Sequence, residues 1–303
     1  MVPSVISSEK FCQCNCPVCL TDRHEPECHV KGFSIVRCTN CKMVYVNPRL
    51  NDVVIREIYR KNYFIKKDYS FNDFGYGNYD LTAHLRDKTF NRWYAAFAPF
   101  LMTHRGKAMD VGCATGRFLN ILKNKGWEAN GIELDVDRYN ALLAKKFRVK
   151  NIPIEDYDRN EQYELITLFD VIEHITHLDA CFKKLNLMLS DKGSIVMVTP
   201  NIESFQKKLF GKKWFQFKPW EHISYFSPKT VHRLAERFGF KIIYLSECGQ
   251  YADMSFVHHR LLRYGFNRTA TLLKMFLSMP GIKDKAWYVG TGSMLIVMQK
   301  KSL

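Results

Sequence analysis

From residue 106 onward, short apolar stretches alternate with amphipathic ones, and this alternation constrains the fold more than any other feature of the chain. The patterns predict strands near 107–111, 128–133, 147–152, 163–169, 193–199, 240–247 and 291–300, and helices near 116–125, 136–145, 178–189 and 228–238. Strands separated by helices are typical of βαβ units in a parallel sheet. The sequence therefore predicts an α/β protein whose ligands bind beyond the carboxyl ends of the strands.

The stretch AMDVGCATGRFLNILKNKGWEANGIELD, residues 108–135, indicates the ligand. Gly112 and Gly116 allow a sharp turn and a close approach of the backbone to a ligand, and Glu133 ends the following strand. Dinucleotide sites favour G-x-G-x-x-G, which lets pyrophosphate meet a helix N-terminus. Here the spacing is G-x-x-x-G with Asp110 before it, and a carboxylate there repels phosphate but suits a cation. A cofactor with a ribose, an ammonium group and a sulfonium but no phosphate is S-adenosylmethionine.

Seven of the ten cysteines lie in the first 41 residues. Two C-x-x-C pairs, Cys16/Cys19 and Cys38/Cys41, are separated by 18 residues, a spacing typical of a four-thiolate structural zinc site. A redox role is less favoured, because no strand leading into a helix surrounds these pairs. Five further residues remain alternative ligands: Cys12, Cys14, Cys28, His24 and His29.

The remaining patterns divide the chain into three predicted parts. Residues 1–50 form a zinc-ribbon-like module, residues 51–105 a mainly helical connector on the substrate side, and residues 106–303 the cofactor-binding domain. The N-terminus lacks the apolar core of a secretory signal, and the longest apolar run is too short to cross a bilayer. We therefore expect a cytoplasmic protein without a transmembrane segment, whose thiols stay reduced.

A net charge of +15 favours an anionic partner: a nucleotide, a phosphorylated substrate, nucleic acid or a membrane surface. A lysine-rich solvated surface without a partner is the alternative. The segment NIESFQKKLFGKKWFQFKPWEH, residues 201–222, concentrates aromatic and basic residues and would suit a sugar, a nucleobase or a lipid surface. We expect it to form a lid over the active site, with a helix packed on the core as the alternative.

The motifs MDVGCATGRFLNIL, GIELD, LFDVIEH, VTPN and EHISYFSPKTVHRLAERFGFK occur in an order that resembles class I S-adenosylmethionine-dependent methyltransferases. The nearest group is bacterial enzymes with an N-terminal zinc-binding segment, which often serve sugar or polysaccharide pathways. The resemblance implies a Rossmann-like sheet of seven strands, the last antiparallel. It also implies that Asp110, Gly112 and Gly116 shape the methionine pocket, with Cys113 as a further cofactor contact. Glu133 would hold the ribose, and Ile154 and Glu155 would line the adenine ring. Ala114 stands where a glycine is common. Pro153 stands where many relatives have an acidic residue, so adenine recognition there would depend on the backbone.

Candidate catalytic residues follow the fourth and fifth strands, at the same predicted sheet edge: Asp170, Glu173, His174 and His222. Two carboxylates and two histidines suit a general base or a divalent metal such as Mg²⁺ or Mn²⁺. A similar arrangement occurs in metal-dependent O-methyltransferases, including a plant small-RNA 2′-O-methyltransferase and quinone-biosynthesis enzymes. A purely structural pair at a helix start is the third alternative.

Together these features predict methyl transfer from S-adenosylmethionine to a small hydroxylated acceptor. The favoured acceptor is a sugar or a nucleotide- or lipid-linked glycan, with O-methylation as the favoured chemistry. One alternative is an RNA 2′-O-methyltransferase, which the charge supports but no recognisable RNA-binding motif does. Another is a zinc-ribbon nucleic-acid-binding protein with an inert methyltransferase fold. Peripheral contact with a membrane remains open.

Overall fold

The computed structural model describes residues 8–61, 83–158, 160–263, 266–277 and 285–301 of the 303-residue chain. The part of the predicted helical connector between residues 62 and 82 lies outside the described residues. The elements before residue 100 are β1 (Phe11–Cys12), β2 (His24–Val30), β3 (Phe33–Cys38), β4 (Val44–Val46), β5 (Arg49–Leu50), α1 (Asp52–Lys61) and α2 (Ala83–Phe97).

The later elements follow the predicted alternation. They are β6 (Gly106–Val111), α3 (Arg117–Asn124), β7 (Trp127–Ile132), α4 (Val136–Ala144), β8 (Arg148–Lys150), β9 (Tyr163–Phe169), α5 (Leu178–Met188), β10 (Leu189–Pro200), α6 (Phe205–Phe210), β11 (Ser224–Tyr225), α7 (Pro228–Arg237), β12 (Phe240–Asp253), α8 (Met254–Arg263), α9 (Asn267–Leu277) and β13 (Ala286–Lys300). No helix among the described residues is long and apolar enough to span a bilayer.

A seven-stranded mixed sheet organises the larger part of the molecule, in the order β12-β13-β10-β9-β6-β7-β8. Strands β10, β9, β6, β7 and β8 are parallel to one another, whereas β13 runs antiparallel to both β10 and β12. The predicted α/β fold with a seven-stranded sheet and an antiparallel last strand is confirmed.

The antiparallel pair β12–β13 extends further than the sequence pattern predicts. β12 continues to Asp253 and β13 begins at Ala286, because Gly249 pairs with Gly290 inside this strand pair instead of ending a strand. A Cβ on Gly249 would lie 1.9 Å from the carbonyl oxygen of Val289, so only glycine permits this approach. The extension carries the strand onward to the wall of a large cavity.

Alternate side chains of the central strands face opposite layers, as expected for a sheet covered on both faces. Val196 and Val198 pack with Phe118 and other residues of the α2–α3 side. Ile195 and Met197 pack on the other side, with residues of α5 and α7 and with the N-terminal cysteines. Arg237 of α7 also donates a hydrogen bond to the carbonyl of Val18 at 2.9 Å, so the cysteine segment is held against the main sheet.

The N-terminal strands form a second, four-stranded antiparallel sheet in the order β11-β4-β3-β2. Its strand β11 follows β10, the fifth strand of the main sheet, along the chain. The N-terminal sheet therefore includes a strand from the sequence of the larger part. The peptide bond between Asn47 and Pro48, which lie between β4 and β5, is cis. Trp214, Phe217 and Trp220 are buried against this sheet.

Candidate active site

A cavity of about 640 Å³ opens beyond the carboxyl ends of β6, β7 and β9. Asp110 lies at the end of β6, Glu133 follows β7, and Asp170 follows β9, and all three line the cavity. The volume lies within the range of sites that enclose a small ligand. This is the sheet edge at which the sequence predicts ligand binding.

The turn between β6 and α3 forms the floor of the cavity and passes through left-handed backbone angles at φ 74° (Gly112), 48° (Ala114) and 75° (Gly116). The N–H groups of Gly112 and Cys113 both donate to the carbonyl of Ile132, at 2.8 and 3.0 Å. A Cβ on Gly112 would meet the side chain of Val171 at 2.7 Å. At Ala114, where the family pattern commonly has glycine, the left-handed angle costs about 1 kcal/mol.

Glu133 fixes this turn from the neighbouring strand. One carboxylate oxygen accepts a hydrogen bond from the N–H of Ala114 at 2.7 Å, and the other accepts from the N–H of Asp135 at 2.9 Å. Burial raises the pKa of Glu133, and the two backbone donors oppose that shift. The side-chain amide of Asn151, which also lines the cavity, donates to the carbonyls of Glu133 and Leu134 at 2.7 and 2.9 Å.

Asp110 is a second buried carboxylate on the same wall. It accepts a hydrogen bond from the hydroxyl of Thr167 at 2.6 Å. Burial raises the pKa of Asp110 to about 7, the Thr167 hydroxyl lowers it, and the nearby charge of Glu133 raises it. A positively charged ligand group would favour the ionised form of this carboxyl.

The remaining residues predicted to contact the cofactor also line the cavity, except Gly116, which lies beside it in the turn. Ile154 and Glu155 lie in a single 3-10 turn after β8, and burial raises the pKa of Glu155. Cys113 is buried between the turn and β7, where a Cβ on Gly131 would approach its sulfur at 2.7 Å. Gly116 begins α3 at its N-cap position.

Two hydrogen bonds bring the candidate catalytic segments together. The N–H of Ile223 donates to the carbonyl of Glu173 at 2.9 Å, and Nδ1–H of His174 donates to the carbonyl of Glu221 at 2.8 Å. As a result, one ligand-type atom each from Glu173, His174 and His222 lies within 4.8 Å of the others. The two imidazole rings meet edge to face, with centroids 4.7 Å apart.

Burial sets the protonation of this cluster. It lowers the pKa of His174 to about 4 and the pKa of His222 well below its usual value, so both rings are neutral at pH 7. His222 donates Nδ1–H to the carbonyl of Gln216 at 2.9 Å, and a neutral ring that donates at Nδ1 has its lone pair at Nε2. Burial raises the pKa of Glu173, whose carboxylate accepts from the hydroxyl of Thr199 at 2.9 Å.

The four candidate catalytic residues differ in their access to the cavity. His174 and Asp170 line it, whereas Glu173 and His222 are buried behind His174. Asp170 lies outside the three-residue cluster and has a left-handed φ of 53°. Burial raises the pKa of Asp170 to about 6, and the positive charges of Arg86 and Lys218 oppose that shift.

Helix α2, within the predicted helical connector, forms one wall of the cavity through residues that the sequence did not single out. Helix α2 contributes five residues: Leu85, Arg86, Thr89, Phe90 and Trp93. The helix is docked on β12, because the indole N–H of Trp93 donates to the carbonyl of Gly249 and the N–H of Tyr251 donates to the hydroxyl of Thr89, both at 2.8 Å. The four-residue spacing of Leu85, Thr89 and Trp93 was the available signal of a buried helical face.

The predicted lid is wrong for segment 201–222. Trp214, Phe217 and Trp220 pack on the N-terminal sheet, and no residue of this segment lines the cavity. The physical reason is that β11 completes the N-terminal sheet directly after the segment, so these three aromatic side chains fill the second core.

The four cysteines of the predicted zinc site form one group. Their sulfur atoms all lie within 4.8 Å of one another, with Cys16 and Cys41 at 3.3 Å and Cys19 and Cys38 at 3.5 Å. Four sulfurs around a tetrahedral zinc lie about 3.8 Å apart, given Zn–S bonds of about 2.3 Å. The donor set and its geometry fit zinc. The five alternative ligands named from the sequence lie outside this group.

Comparison with known proteins gives a family match. The pattern of the family described as "Methyltransferase domain" matches residues 73–245, more than half of the chain. A ubiquinone biosynthesis O-methyltransferase of Rhodopseudomonas palustris (strain TIE-1) is 24% identical over 135 residues, which cover 42% of this chain and 50% of that protein. A ubiquinone biosynthesis O-methyltransferase of Psychrobacter arcticus is 28% identical over 109 residues, 31% of this chain and 41% of that protein. The chain thus spans half or less of the length of these curated relatives.

The solved structures that resemble this chain are also distant from it in sequence. A SAM-dependent methyltransferase from Archaeoglobus fulgidus superposes with a TM-score of 0.48 and 18% identity, covering 74% of this chain and 100% of that one. A putative methyltransferase from Bacillus halodurans gives a TM-score of 0.49 and 12% identity, covering 71% of this chain and 100% of that one.

Proposed function

The chain belongs to the methyltransferase domain family, and from this premise we propose that it transfers the methyl group of S-adenosylmethionine to a hydroxyl of a small acceptor. The favoured acceptor is a sugar or a nucleotide- or lipid-linked glycan. The observation that carries the proposal is one cavity with two buried carboxylates, Asp110 and Glu133, on one wall and the neutral imidazole of His174 on another.

The residues of this cavity suit S-adenosylmethionine, which would supply a methyl group activated by a sulfonium. Glu133, at the end of β7, is the group for the ribose hydroxyls, since each carboxylate oxygen has a further lone pair beside its backbone donor. Asp110 is the carboxylate for the positively charged end. Ile154 offers an apolar surface to the adenine ring, next to Glu155.

His174 is the residue we assign as general base. Its ring is neutral at pH 7, it lines the cavity, and its Nδ1–H bond to the carbonyl of Glu221 orients the ring. It would accept the proton of the acceptor hydroxyl at Nε2, which makes the oxygen a better nucleophile. Because Nε2 is buried in this structure, the ring must turn towards the cavity to reach the acceptor. His222 and Glu173 support the ring from behind, and Asp170 orients the acceptor at the cavity wall. Fixing the acceptor in line with the methyl group supplies much of the rate.

The acceptor has room to be larger than a single ring. A second cavity of about 350 Å³ shares Ile175, Thr176 and His177 with the first. The N-terminal segment contributes Asn15 and Tyr45 to its wall. A glycan or a phosphorylated acceptor could therefore extend from His174 towards the cysteine-bearing segment.

A metal-assisted version of the same reaction is supported by the grouping of Glu173, His174 and His222. One carboxylate and two imidazoles suit Mn²⁺ better than Mg²⁺, which prefers oxygen ligands and retained water. The zinc proposed at Cys16, Cys19, Cys38 and Cys41 is structural, because four thiolates leave no open position.

Two measurements test the function. Calorimetry with S-adenosylmethionine should show binding at one site per chain, and absence of binding would establish the alternative of an inert fold. Radiolabelled cofactor should then be offered with nucleotide sugars, lipid-linked glycans, catechols and short RNAs. Methylation of RNA alone would replace the small-acceptor proposal by the RNA 2′-O-methyltransferase alternative.

A further inference from the structure

The outer surface of α6 and of the α8–α9 pair exposes large apolar side chains that the proposed reaction does not use. On α6, Phe205 is 68% exposed and Leu209 is 62% exposed. On the α8–α9 side, Phe266 is 48% exposed and Leu272 is 60% exposed. Exposed groups of this size cost hydration free energy unless another surface covers them.

These side chains belong to neighbouring elements. Phe205 and Leu209 are four residues apart on α6 and so share one helical face. Phe210, the last residue of α6, lies edge to face with Phe266, with ring centroids 6.4 Å apart. We call the surface formed by Phe205, Leu209 and Phe266, with the basic residues around it, the apolar–basic face.

Basic residues predominate around this face. Residues 204–220 contain five lysines and no acidic residue, although Lys218 is buried against Glu221. Arg268 is exposed at the start of α9, and Glu203 is an exposed acidic residue directly before α6. Lys208, Lys212 and Lys213 are exposed next to the apolar residues of α6. A surface that combines exposed apolar side chains with positive charge is complementary to the headgroup region of an anionic bilayer.

We propose that the apolar–basic face docks the protein on an anionic phospholipid membrane. The exposed phenyl and leucyl groups would enter the boundary between headgroups and acyl chains, while the lysines contact the phosphates. A nucleic acid would neutralise the lysines but leave the apolar groups in water. A second copy of the chain would bring two positively charged faces together, which is unfavourable.

The apolar–basic face is connected to one wall of the cavity through β12 and β13. Gln206 of α6 donates a hydrogen bond to the carbonyl of Gly290 at 3.1 Å, and Gly290 pairs with Gly249. The next residues of β12, Gln250 and Tyr251, line the cavity. A docked protein would therefore hold the β12 wall of its cavity close to the bilayer. The docking itself does not depend on the proposed reaction.

The test is co-sedimentation of the full chain with vesicles of phosphatidylcholine, with and without phosphatidylglycerol. Binding should require the anionic lipid and weaken as salt is raised. The double variant Phe205→Ser/Leu209→Ser and the double variant Lys212→Glu/Lys213→Glu should each weaken binding by about tenfold or more. Leu187→Ser is the matched apolar control, because Leu187 is 71% exposed on α5, and Lys192→Glu is the charge control.

Each result of these binding measurements either supports or contradicts membrane docking. Binding that both double variants lower and both controls leave unchanged supports the proposal, provided that the variants unfold at the wild-type temperature. Equal binding to neutral and anionic vesicles, or equal binding by wild type and both double variants, would overturn it. So would binding of a short DNA duplex without binding of vesicles, or self-association that the Phe205→Ser/Leu209→Ser variant abolishes in the absence of lipid. A protein that docks but lacks methyltransferase activity would refute only the proposed function.

Discussion

Glu133 accepts a hydrogen bond from the backbone N–H of Ala114 at 2.7 Å, across the gap between β7 and the turn that follows β6. Ala114 has a left-handed φ of 48°, which an alanine adopts at a cost. The bond to a buried carboxylate helps to stabilise that conformation. The same carboxylate lines the cavity, so the residue that orders the floor of the site is also positioned to bind the ligand.

This dual role predicts the effect of Glu133→Ala on cofactor binding. The substitution should weaken the binding of S-adenosylhomocysteine by about 1.5–3 kcal/mol, the range for hydrogen bonds to a charged group. Isothermal titration calorimetry would measure it. Asp137→Ala, which removes an exposed carboxylate from the next helix, is the control and should bind normally. An unchanged dissociation constant for Glu133→Ala would remove this residue from the cofactor site.

The pKa of Asp110 predicts a pH dependence of the same affinity. Burial raises this pKa to about 7 in the free protein, and the positively charged ammonium group of the ligand binds best to the ionised carboxyl. Affinity should be highest above pH 7 and should fall as pH drops through 7, by up to about tenfold per pH unit. Asp110→Asn should bind more weakly at high pH and lose most of this dependence. If its profile matched that of the wild type, another group would control the binding.

The sulfur distances in the cysteine cluster predict metal content. Freshly purified protein should hold about one zinc per chain, and Cys16→Ser or Cys41→Ser should lower that content. Cys28→Ser is the matched control, since Cys28 lies in the same segment but outside the cluster. Elemental analysis measures zinc, and circular dichroism should show that the main sheet stays folded. Zinc-free wild-type protein, prepared without chelator, would contradict the assignment.

Local signals explain why much of the fold and the cofactor side of the cavity could be predicted from the sequence. The glycine turn needs left-handed backbone angles at Gly112 and Gly116, and few residue types adopt such angles. The turn can therefore be recognised from the amino-acid sequence alone. The alternation of strand and helix patterns likewise fixed the order of elements, although not the length of β12 and β13. Gly249 signals a turn by composition, but its partner Gly290 makes it a strand residue.

The acceptor side depends on contacts between distant parts of the chain, which local patterns do not specify. The aromatic segment that ends at Trp220 fits a lid or a packed core equally well by composition. Its burial follows from the pairing of Ser224 with Tyr45, which makes β11 an edge strand of the N-terminal sheet. Similarly, Thr89 belongs to the cavity wall only because Tyr251, which follows 162 positions later, donates a hydrogen bond to it.

The buried cluster of Glu173, His174 and His222 predicts the effect of two histidine substitutions on turnover. His174→Ala should lower turnover by about 10²-fold or more, because it removes the proposed base while leaving the cofactor wall intact. His222→Ala should also lower turnover, since its ring packs on that of His174. Affinity for S-adenosylhomocysteine should stay near that of the wild type in both. His232→Ala, an exposed histidine on α7, is the control and should retain full activity.

Chelation separates the two versions of this mechanism. If Glu173, His174 and His222 hold a metal, activity should fall with a chelator and return with Mn²⁺, while the thiolate-bound zinc remains in place. If His174 acts as a base alone, activity should be indifferent to the chelator, because neutral Nε2 needs no metal to accept a proton. In that case the His174→Ala substitution should lower turnover, whereas a change in bound Mn²⁺ should leave it unchanged. Full activity in both His174→Ala and His222→Ala would mean that the cluster is structural and that another cavity residue, such as Asp170, activates the acceptor.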